Sequence, residues 1–272
     1  MKNTIHMLQS VKDTICNSFI ITTEDGKLIV IDGGHYFETA YFLSYLKQTA
    51  GTDKPHIDAW FLSHPHDDHI EVFYDVIENH ADEVTVDRVY LNFPSREFFV
   101  GNDHYAVKIV EDFNRLLPRF AAQMRILSGG DSFDIGAAHI KVLYSHDFEL
   151  PGCNNSSLVF RMELGSKSIL FTGDCGVEAG KKVVRLWKDS GLLSCDICQM
   201  AHHGQDGCDR DFYEAVSPSV CLWCTPTWLW NNDAGKGYDT AGWKTIIVRG
   251  WMEELGVKEH YVMKDGTQVI EL

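Results

Sequence analysis

The first hydrophobic runs of the chain predict a β-hairpin followed by a helix and a third strand. Two runs rich in β-branched and aromatic residues flank the turn Glu24-Asp25-Gly26, which is typical of a hairpin. Apolar positions at helical spacing reappear directly after a cluster of histidines. The predicted strands are residues 18–23, 27–31 and 57–62, and the predicted helices are residues 38–48 and 70–78.

The middle of the chain predicts a long helix between short strands. Residues 104–123 carry apolar side chains on one helical face, and we expect Pro118 to kink or end this helix because proline lacks a backbone N–H. The strands predicted around it are residues 88–91, 125–127, 132–135 and 139–144.

The opening pattern returns in the second half of the chain, followed by a helix near residues 181–188. Residues 157–165 align with 18–26, residues 167–174 with 27–34, and residues 196–202 with 58–64. Two β-rich halves that bear helices bury their sheets against each other. We therefore predict an α/β fold with one domain over residues 1–272, a four-layer αββα sandwich of two pseudo-symmetric halves. The alternative is a chance similarity between apolar hairpins.

Charge and hydropathy exclude several classes of protein. The 24 Lys and Arg residues against 39 Asp and Glu residues give a net charge of −15, which repels DNA and anionic membranes. No apolar run reaches the roughly 18 residues of a membrane helix, and the N-terminus lacks the apolar stretch of a signal peptide. We predict a cytoplasmic protein without a membrane anchor.

Two Cys-x-x-Cys pairs, Cys195/Cys198 and Cys221/Cys224, lie in apolar segments that are typical of strands. Residues three apart on a strand face opposite sides, so they cannot converge on one ion. The sequence therefore predicts buried core thiols at these positions.

The segment His64-Pro65-His66-Asp67-Asp68-His69 is the sharpest chemical signal in the chain. Imidazole and carboxylate groups are common ligands of divalent metals. A segment that leaves a buried strand can direct His64 and His66 to one ion, and Asp68 and His69 to a second. A solvated polar loop is the alternative.

This His-x-His-x-Asp-His spacing resembles that of the metallo-β-lactamase superfamily of metal-dependent hydrolases. Asp32-Gly33-Gly34, Thr172-Gly173-Asp174 and Ala201-His202-His203-Gly204 are similar to three further loops of that family. The segments Asn154-Asn155-Ser156-Ser157 and His202-His203-Gly204 resemble a branch that includes the hydrolase domain of ComEC-like DNA-uptake proteins and, more distantly, phosphorylcholine esterases.

The resemblance implies two cation sites that share Asp174. Site one would use His64, His66 and Asp174, and site two would use Asp68, His69, Asp174 and His203. Many family members complete site one with a third histidine about twenty residues before the bridging aspartate, where this chain has Cys153-Asn154-Asn155. Asn154, Asn155 or His146 is the candidate replacement.

Of the last two histidines of the pattern, His203 is favoured as the metal ligand because it directly precedes Gly204. The internal repeat favours His202 instead, because it aligns His202 with His64. With His203 as the ligand, His202 would donate a hydrogen bond to the charge that develops on the substrate. Asp68 would orient the attacking water, which two divalent cations activate near neutral pH. Zinc suits this set of ligands, and manganese or iron is the alternative.

A tryptophan-rich segment follows the late histidines. Its side chains Trp228, Trp230, Lys236 and Tyr238 are candidates for a loop that contacts the substrate, with a structural aromatic cluster as the alternative.

The resemblance implies a metal-dependent hydrolase of a small phosphodiester or phosphate ester. Long nucleic acid is not an expected substrate because of the negative charge. The alternatives are a carbon ester, thioester, lactone or β-lactam hydrolase, and a metal-binding protein without turnover.

Overall fold

The computed structural model describes residues 2–272, which form sixteen strands and eight α-helices. The strands are β1 (Thr4–Met7), β2 (Ser18–Thr22), β3 (Leu28–Asp32), β4 (His56–Ile57), β5 (Ala59–Phe61), β6 (Thr85–Val86), β7 (Val89–Leu91), β8 (Met124–Ile126), β9 (Ser132–Ile135), β10 (Ala138–Tyr144), β11 (Val159–Leu164), β12 (Lys167–Phe171), β13 (Ile197–Gln199), β14 (Val220–Trp223), β15 (Glu259–Val262) and β16 (Gln268–Glu271). The helices are α1 (Thr39–Ala50), α2 (Asp67–Asn79), α3 (Arg96–Asn102), α4 (His104–Leu116), α5 (Val177–Trp187), α6 (Arg210–Val216), α7 (Thr227–Trp230) and α8 (Thr245–Glu254).

The two large sheets have the same internal order. One sheet runs β16-β1-β2-β3-β5-β7-β8 and the other runs β9-β10-β11-β12-β13-β14-β15, while β4 and β6 form a small separate pair. In each large sheet the first four strands pair antiparallel, and the fourth strand also begins a parallel run that includes the last three strands. The hairpin β2–β3 and strand β5 correspond to β11–β12 and β13. The sequence repeat therefore reflects a repeat of topology.

Alternate residues of β2 belong to different layers of the molecule. Phe19 and Ile21 lie between the two sheets, where they share a core with Phe160 and Phe171 of the second sheet. Ile20 faces the opposite side, where α1, α2 and α4 cover the first sheet. Helices α5, α6 and α8 cover the outer face of the second sheet in the same way. The predicted four-layer αββα sandwich is confirmed.

Three helices differ from the prediction by three or more residues at one end. Helix α2 begins at Asp67 rather than near residue 70, because the polar residues of its first turn give no apolar periodicity. Helix α4 ends at Leu116, and a short 3₁₀ turn containing Pro118 replaces the predicted continuation to residue 123. Helix α5 starts at Val177, four residues before the predicted 181.

All eight cysteines are free and buried, which confirms core thiols at both Cys-x-x-Cys pairs. Across residues 2–272, no helix combines the length and the apolar character needed to cross a membrane.

Candidate metal centre

The polar side chains of the candidate site come from loops at one edge of the two sheets. His64 follows β5 in the first sheet, while Asp174 follows β12 and His203 follows β13 in the second. The halves meet here, since the backbone N–H of Leu158 donates to the carbonyl of Ser63 over 2.9 Å. Each half therefore places ligand-type side chains at the junction between the two sheets, which we call the seam.

One group consists of Asp68, His69, Asp174 and His203, each offering a ligand atom within 4.8 Å of the others. Nε2 of His69 lies 3.1 Å from Oδ1 of Asp174, and Nε2 of His203 lies 2.8 Å from Oδ2 of Asp68. All four side chains are buried. The structure thus brings together the four residues that the sequence proposed for site two.

A second group consists of His64, His66 and Cys153, again with ligand atoms within 4.8 Å of one another. Nε2 of His64 and Nδ1 of His66 face each other at 3.1 Å. Oδ2 of Asp174 lies 3.7 Å from Nε2 of His64 and 3.5 Å from Nε2 of His203. Asp174 therefore lies between the two groups.

The third position of the second group adds a residue that the sequence-based expectation did not include. Cys153 accompanies His64 and His66, while Oδ1 of the predicted candidate Asn154 is buried without a hydrogen-bond partner and its Nδ2 lies 3.3 Å from Nε2 of His202. The ring of His146 instead donates from Nδ1 to the carbonyl of Asn92 over 3.1 Å. Asn155 is turned toward α5, where its Oδ1 accepts from the backbone of Ala179 at 3.4 Å.

Hydrogen bonds at Nδ1 leave Nε2 of His69 and His203 free for a ligand, and a third orients the ring of His64, whose Nε2 lies 3.1 Å from Nδ1 of His66. Nδ1 of His69 donates to Oδ2 of Asp32 over 2.7 Å, and Nδ1 of His203 donates to the carbonyl of Cys224 over 3.0 Å. The Ser63 hydroxyl donates to Asp32, so its oxygen is left to accept from Nδ1 of His64 at 3.1 Å. This arrangement fixes ring orientation in the way that metal-binding histidines require.

Asp32 is the buried centre of this network. Besides His69, it accepts hydrogen bonds from the side chain of Asn17 and from both the backbone N–H and the hydroxyl of Ser63, each over 2.7 Å. Asn17 in turn accepts from Gln199, whose amide oxygen accepts from the backbone N–H groups of Thr172 and Gly173. The loop that carries Asp174 is therefore linked to the carboxylate that orients His69.

The backbone of His202 and His203 is strained. His202 (φ 51°) and His203 (φ 55°) both adopt the left-handed region that residues other than glycine rarely enter. Gly204 follows with φ +76°, and a Cβ there would meet the Trp223 ring at 2.4 Å. Only glycine fits at 204, and the tight turn directs the His203 ring into the seam.

Burial and charge shift the pKa values of the site in opposite directions. Burial lowers the pKa of His69, but Asp174 and Asp68 outweigh it and hold that pKa well above its usual value. The same opposition raises the pKa of His203 to about 9. Burial raises the pKa of Asp174, but His69 and His203 hold it well below its usual range. The site is built to hold positive charge between buried carboxylates.

Several buried atoms of the site lack a hydrogen-bond partner. These are Nε2 of His66, His69 and His203, Oδ2 of Asp68 and Oδ1 of Asp174. A buried polar atom without a partner costs about 1–3 kcal/mol, and a buried charge costs more. Divalent cations in place of the Nε2 protons would satisfy these nitrogens and carboxylate oxygens together. The side chains present therefore fit metal binding.

His202 lies beside the two groups. Its Nε2 is 3.3 Å from Nδ2 of Asn154 and 3.8 Å from Oδ2 of Asp174, and burial lowers the pKa of its ring. The imidazole is consequently favoured in its neutral form, which can donate from one nitrogen and accept at the other.

The tryptophans of the predicted substrate loop pack into the structure around them. Trp228 donates from Nε1 to the carbonyl of Asp13 and packs on Trp243, with ring centroids 4.9 Å apart. Trp230 packs on Trp223 and lies under the guanidinium of Arg249, 4.0 Å from the ring centre. These contacts match the alternative of a structural aromatic cluster. Lys236 and the 63% exposed Tyr238 lie on the surface.

Two residues of the site escaped the sequence analysis. Cys153 lies 21 residues before Asp174, the spacing at which the resembled family carries its third histidine, and that spacing was the available signal. Asp103 caps α4, accepts from the backbone N–H of Cys153 at 3.2 Å and lies 3.6 Å from Nε2 of His66. Its contact with His66 lowers the pKa of Asp103 to about 2. No sequence motif marks it.

Comparison with known structures shows the same fold. YhfI, a metallo-beta-lactamase fold protein from Bacillus subtilis, matches with a TM-score of 0.58 and 13% identity, over 98% of this chain and 99% of that one. Zn(2+)-bound PqqB from Methylobacterium extorquens matches with a TM-score of 0.56 and 9% identity, over 99% and 100%. CmlA, a diiron beta-hydroxylase from Streptomyces venezuelae, matches with a TM-score of 0.56 and 12% identity, over all of this chain and 54% of CmlA.

Sequence comparison assigns the family. The curated relative ComE operon protein 3 of Bacillus subtilis (strain 168) is 23% identical over 168 residues, which are 61% of this chain and 20% of that protein. The chain thus spans about a fifth of the length of this relative. The model of the metallo-beta-lactamase superfamily matches residues 11–205, well over half of the chain. The chain therefore belongs to the metallo-beta-lactamase superfamily.

Proposed function

We propose that this protein is a metal-dependent hydrolase with a dinuclear centre, acting on a small phosphodiester or phosphate ester. The observation that carries the proposal is the position of Asp174 between the two groups of ligand-type side chains, with oxygens 3.1 Å from His69 and 3.7 Å from His64. A carboxylate in that position would contact both cations of a two-metal hydrolytic site.

When bound, two divalent cations would activate a water molecule and stabilise negative charge on the attacked group. The chain's own residues supply the rest. The cations would be held by His64, His66, Asp174, Asp68, His69 and His203. Oδ2 of Asp68 lies in the seam, 2.8 Å from Nε2 of His203, where it would orient the attacking water. His202 faces the same seam and donates to the developing charge on the substrate.

The substrate class is supported by the similarity to the DNA-uptake branch and by the charge of the chain. The segments Asn154-Asn155-Ser156-Ser157 and His202-His203-Gly204 carry that similarity. A net charge of −15 opposes the binding of a long polyanion, whereas a small phosphodiester needs only local attraction by cations. A small substrate is therefore favoured over DNA.

The proposal is tested by measuring metal content and hydrolysis of bis(p-nitrophenyl) phosphate, a lactone and a β-lactam. Wild-type protein should bind close to two equivalents of zinc, manganese or iron and should turn over the phosphodiester. Asp174→Asn should lose both metal and activity. Asp134→Asn, which changes a 70% exposed carboxylate paired with His139, is the matched control and should keep both.

Each other outcome contradicts a defined part of the proposal. Turnover of the lactone or the β-lactam alone would replace the substrate class while keeping the metal centre. Full metal content without turnover of any substrate would indicate a binding protein. Full activity in Asp174→Asn would exclude the bridging role.

A further inference from the structure

The loop between β10 and β11 places a sulfur atom next to two histidines. Cys153 is fully buried, and its Sγ lies within 4.8 Å of ligand nitrogens of both His64 and His66. Nε2 of His66 is buried without a hydrogen-bond partner. The group therefore combines three ligand-type side chains with an unsatisfied polar atom.

The backbone of Cys153 is fixed from two sides. Its N–H donates to Oδ2 of Asp103 over 3.2 Å, and its carbonyl accepts from the backbone of Ser156 over 2.8 Å. The same Asp103 oxygen lies 3.6 Å from Nε2 of His66. One carboxylate thus binds the backbone of the cysteine and lies beside the histidine ring, where outer carboxylates commonly lie at metal sites.

Apolar side chains close the site on the side of the sulfur. Cys153 packs in a small cluster with Phe99, Ala106 and Val110 of the α3–α4 region. This cluster accounts for burial of a small side chain, but it does not account for two imidazoles beside the sulfur. An apolar wall excludes water and strengthens a metal–sulfur bond.

We propose that the thiolate of Cys153 is the third protein ligand of site one, beside His64 and His66, and that it gives this site a preference for zinc over manganese. The inference rests on the dinuclear centre of the proposed function. Thiolate is a soft ligand that favours zinc, whereas manganese favours oxygen ligands. With Asp174, site one would then present the four ligands that zinc prefers.

Cobalt(II) titration of the metal-free protein distinguishes this inference from the proposed function. Cobalt bound to histidine and carboxylate gives weak visible bands, and a thiolate ligand adds an intense near-ultraviolet charge-transfer band. Wild-type protein should show both, and Cys153→Ser should lose the near-ultraviolet band while keeping the visible bands. Cys221→Ser changes another buried thiol and should keep both.

The outcomes separate cleanly. Visible bands without the near-ultraviolet band in wild-type protein, or a band that survives in Cys153→Ser, would overturn the thiolate ligand and leave the metal centre standing. Failure of wild-type protein to bind cobalt would overturn both proposals. X-ray absorption of the zinc-loaded wild type needs no variant, and it should show a zinc–sulfur shell at about 2.3 Å. A shell of nitrogen and oxygen alone would refute the inference.

Metal competition gives a second readout on the same variants. Loss of an outer carboxylate typically costs 10–100-fold in metal affinity, so loss of the Cys153 thiolate should weaken zinc at site one by at least about 100-fold. Manganese affinity should change less. An unchanged preference for zinc over manganese in Cys153→Ser would contradict the assignment.

Discussion

Replacing Asp32 by asparagine tests whether the buried carboxylate beneath the site orients His69 for metal binding. Asp32 accepts four hydrogen bonds of 2.7 Å, from Asn17, from His69, and from the backbone and hydroxyl of Ser63. An asparagine has one acceptor oxygen, so at least one of these buried donors must face the new amide N–H₂ group. The substitution keeps the shape of the side chain and tolerates the left-handed backbone of position 32 (φ 53°).

The expected cost follows from these contacts. One buried donor left unsatisfied costs about 1–3 kcal/mol, and hydrogen bonds to a neutral oxygen are weaker by about 1 kcal/mol than those to a carboxylate. We expect the free energy of unfolding of the metal-free protein to fall by about 2–4 kcal/mol. Zinc affinity should fall by about 10–100-fold, because His69 loses the acceptor that fixes its ring.

Urea unfolding of metal-free protein and competition with a chromophoric chelator measure the two quantities separately. Asp196→Asn is the matched control, since Asp196 accepts from the backbone N–H and the hydroxyl of Ser168 over 2.8 Å each. It lies on the approach to β13 outside both ligand groups, so its loss should lower stability with little effect on zinc affinity. Unchanged zinc affinity in Asp32→Asn, or an equal loss of affinity in Asp196→Asn, would refute an orienting role for Asp32.

Three further predictions concern the metal centre. Asp174→Ala should cost more activity than Asp32→Ala, because Asp174 lies between both ligand groups; equal losses with metal retained would argue against the bridge. The double change Asp68→Ala and His69→Ala should empty site two and abolish hydrolysis. If elemental analysis found full metal content in this variant, the assignment of site two would be wrong. For a small phosphodiester, kcat/KM should stay flat or rise modestly with salt, because salt screens the repulsion from a −15 chain; a steep fall with efficient DNA cleavage would instead reveal binding through phosphate contacts.

Local patterns in the sequence were sufficient to predict the fold. The hairpin at residues 18–31 and its repeat at 157–171 are encoded by alternating and continuous apolar runs, and two such units have few ways to bury their sheets. Burial of β2 on both faces leaves one consistent arrangement, with helices on the outside. The boundary of α2 was missed because its first turn is polar, and such a turn carries no hydrophobic period.

The segment from His64 to His69 was predictable from the residues alone, whereas Asp174 and His203 were predicted through the family resemblance. Five of the six residues from His64 to His69 carry side chains that commonly bind metals. The place of Cys153 depends instead on the packing of α3 and α4 and on a hydrogen bond to Asp103, fifty residues away along the chain. The tryptophans after β14 stand out in the sequence. The packing of Trp230 against Arg249 depends on the tertiary structure, so the sequence did not show that this ring has a structural role.

The ligand groups draw on both sheets, and this gives a bound cation a mechanical role. His64 and His66 follow a strand of one sheet and Cys153 lies in the β10–β11 loop of the other, so an ion held by all three would link the two sheets across the seam. Its binding free energy adds to the free energy that keeps the two sheets packed, because separated sheets no longer chelate it. Loss of metal would then loosen the whole molecule, and neither sheet expressed alone would retain the ion. In this protein the candidate metal centre and the junction between the two halves share the same side chains.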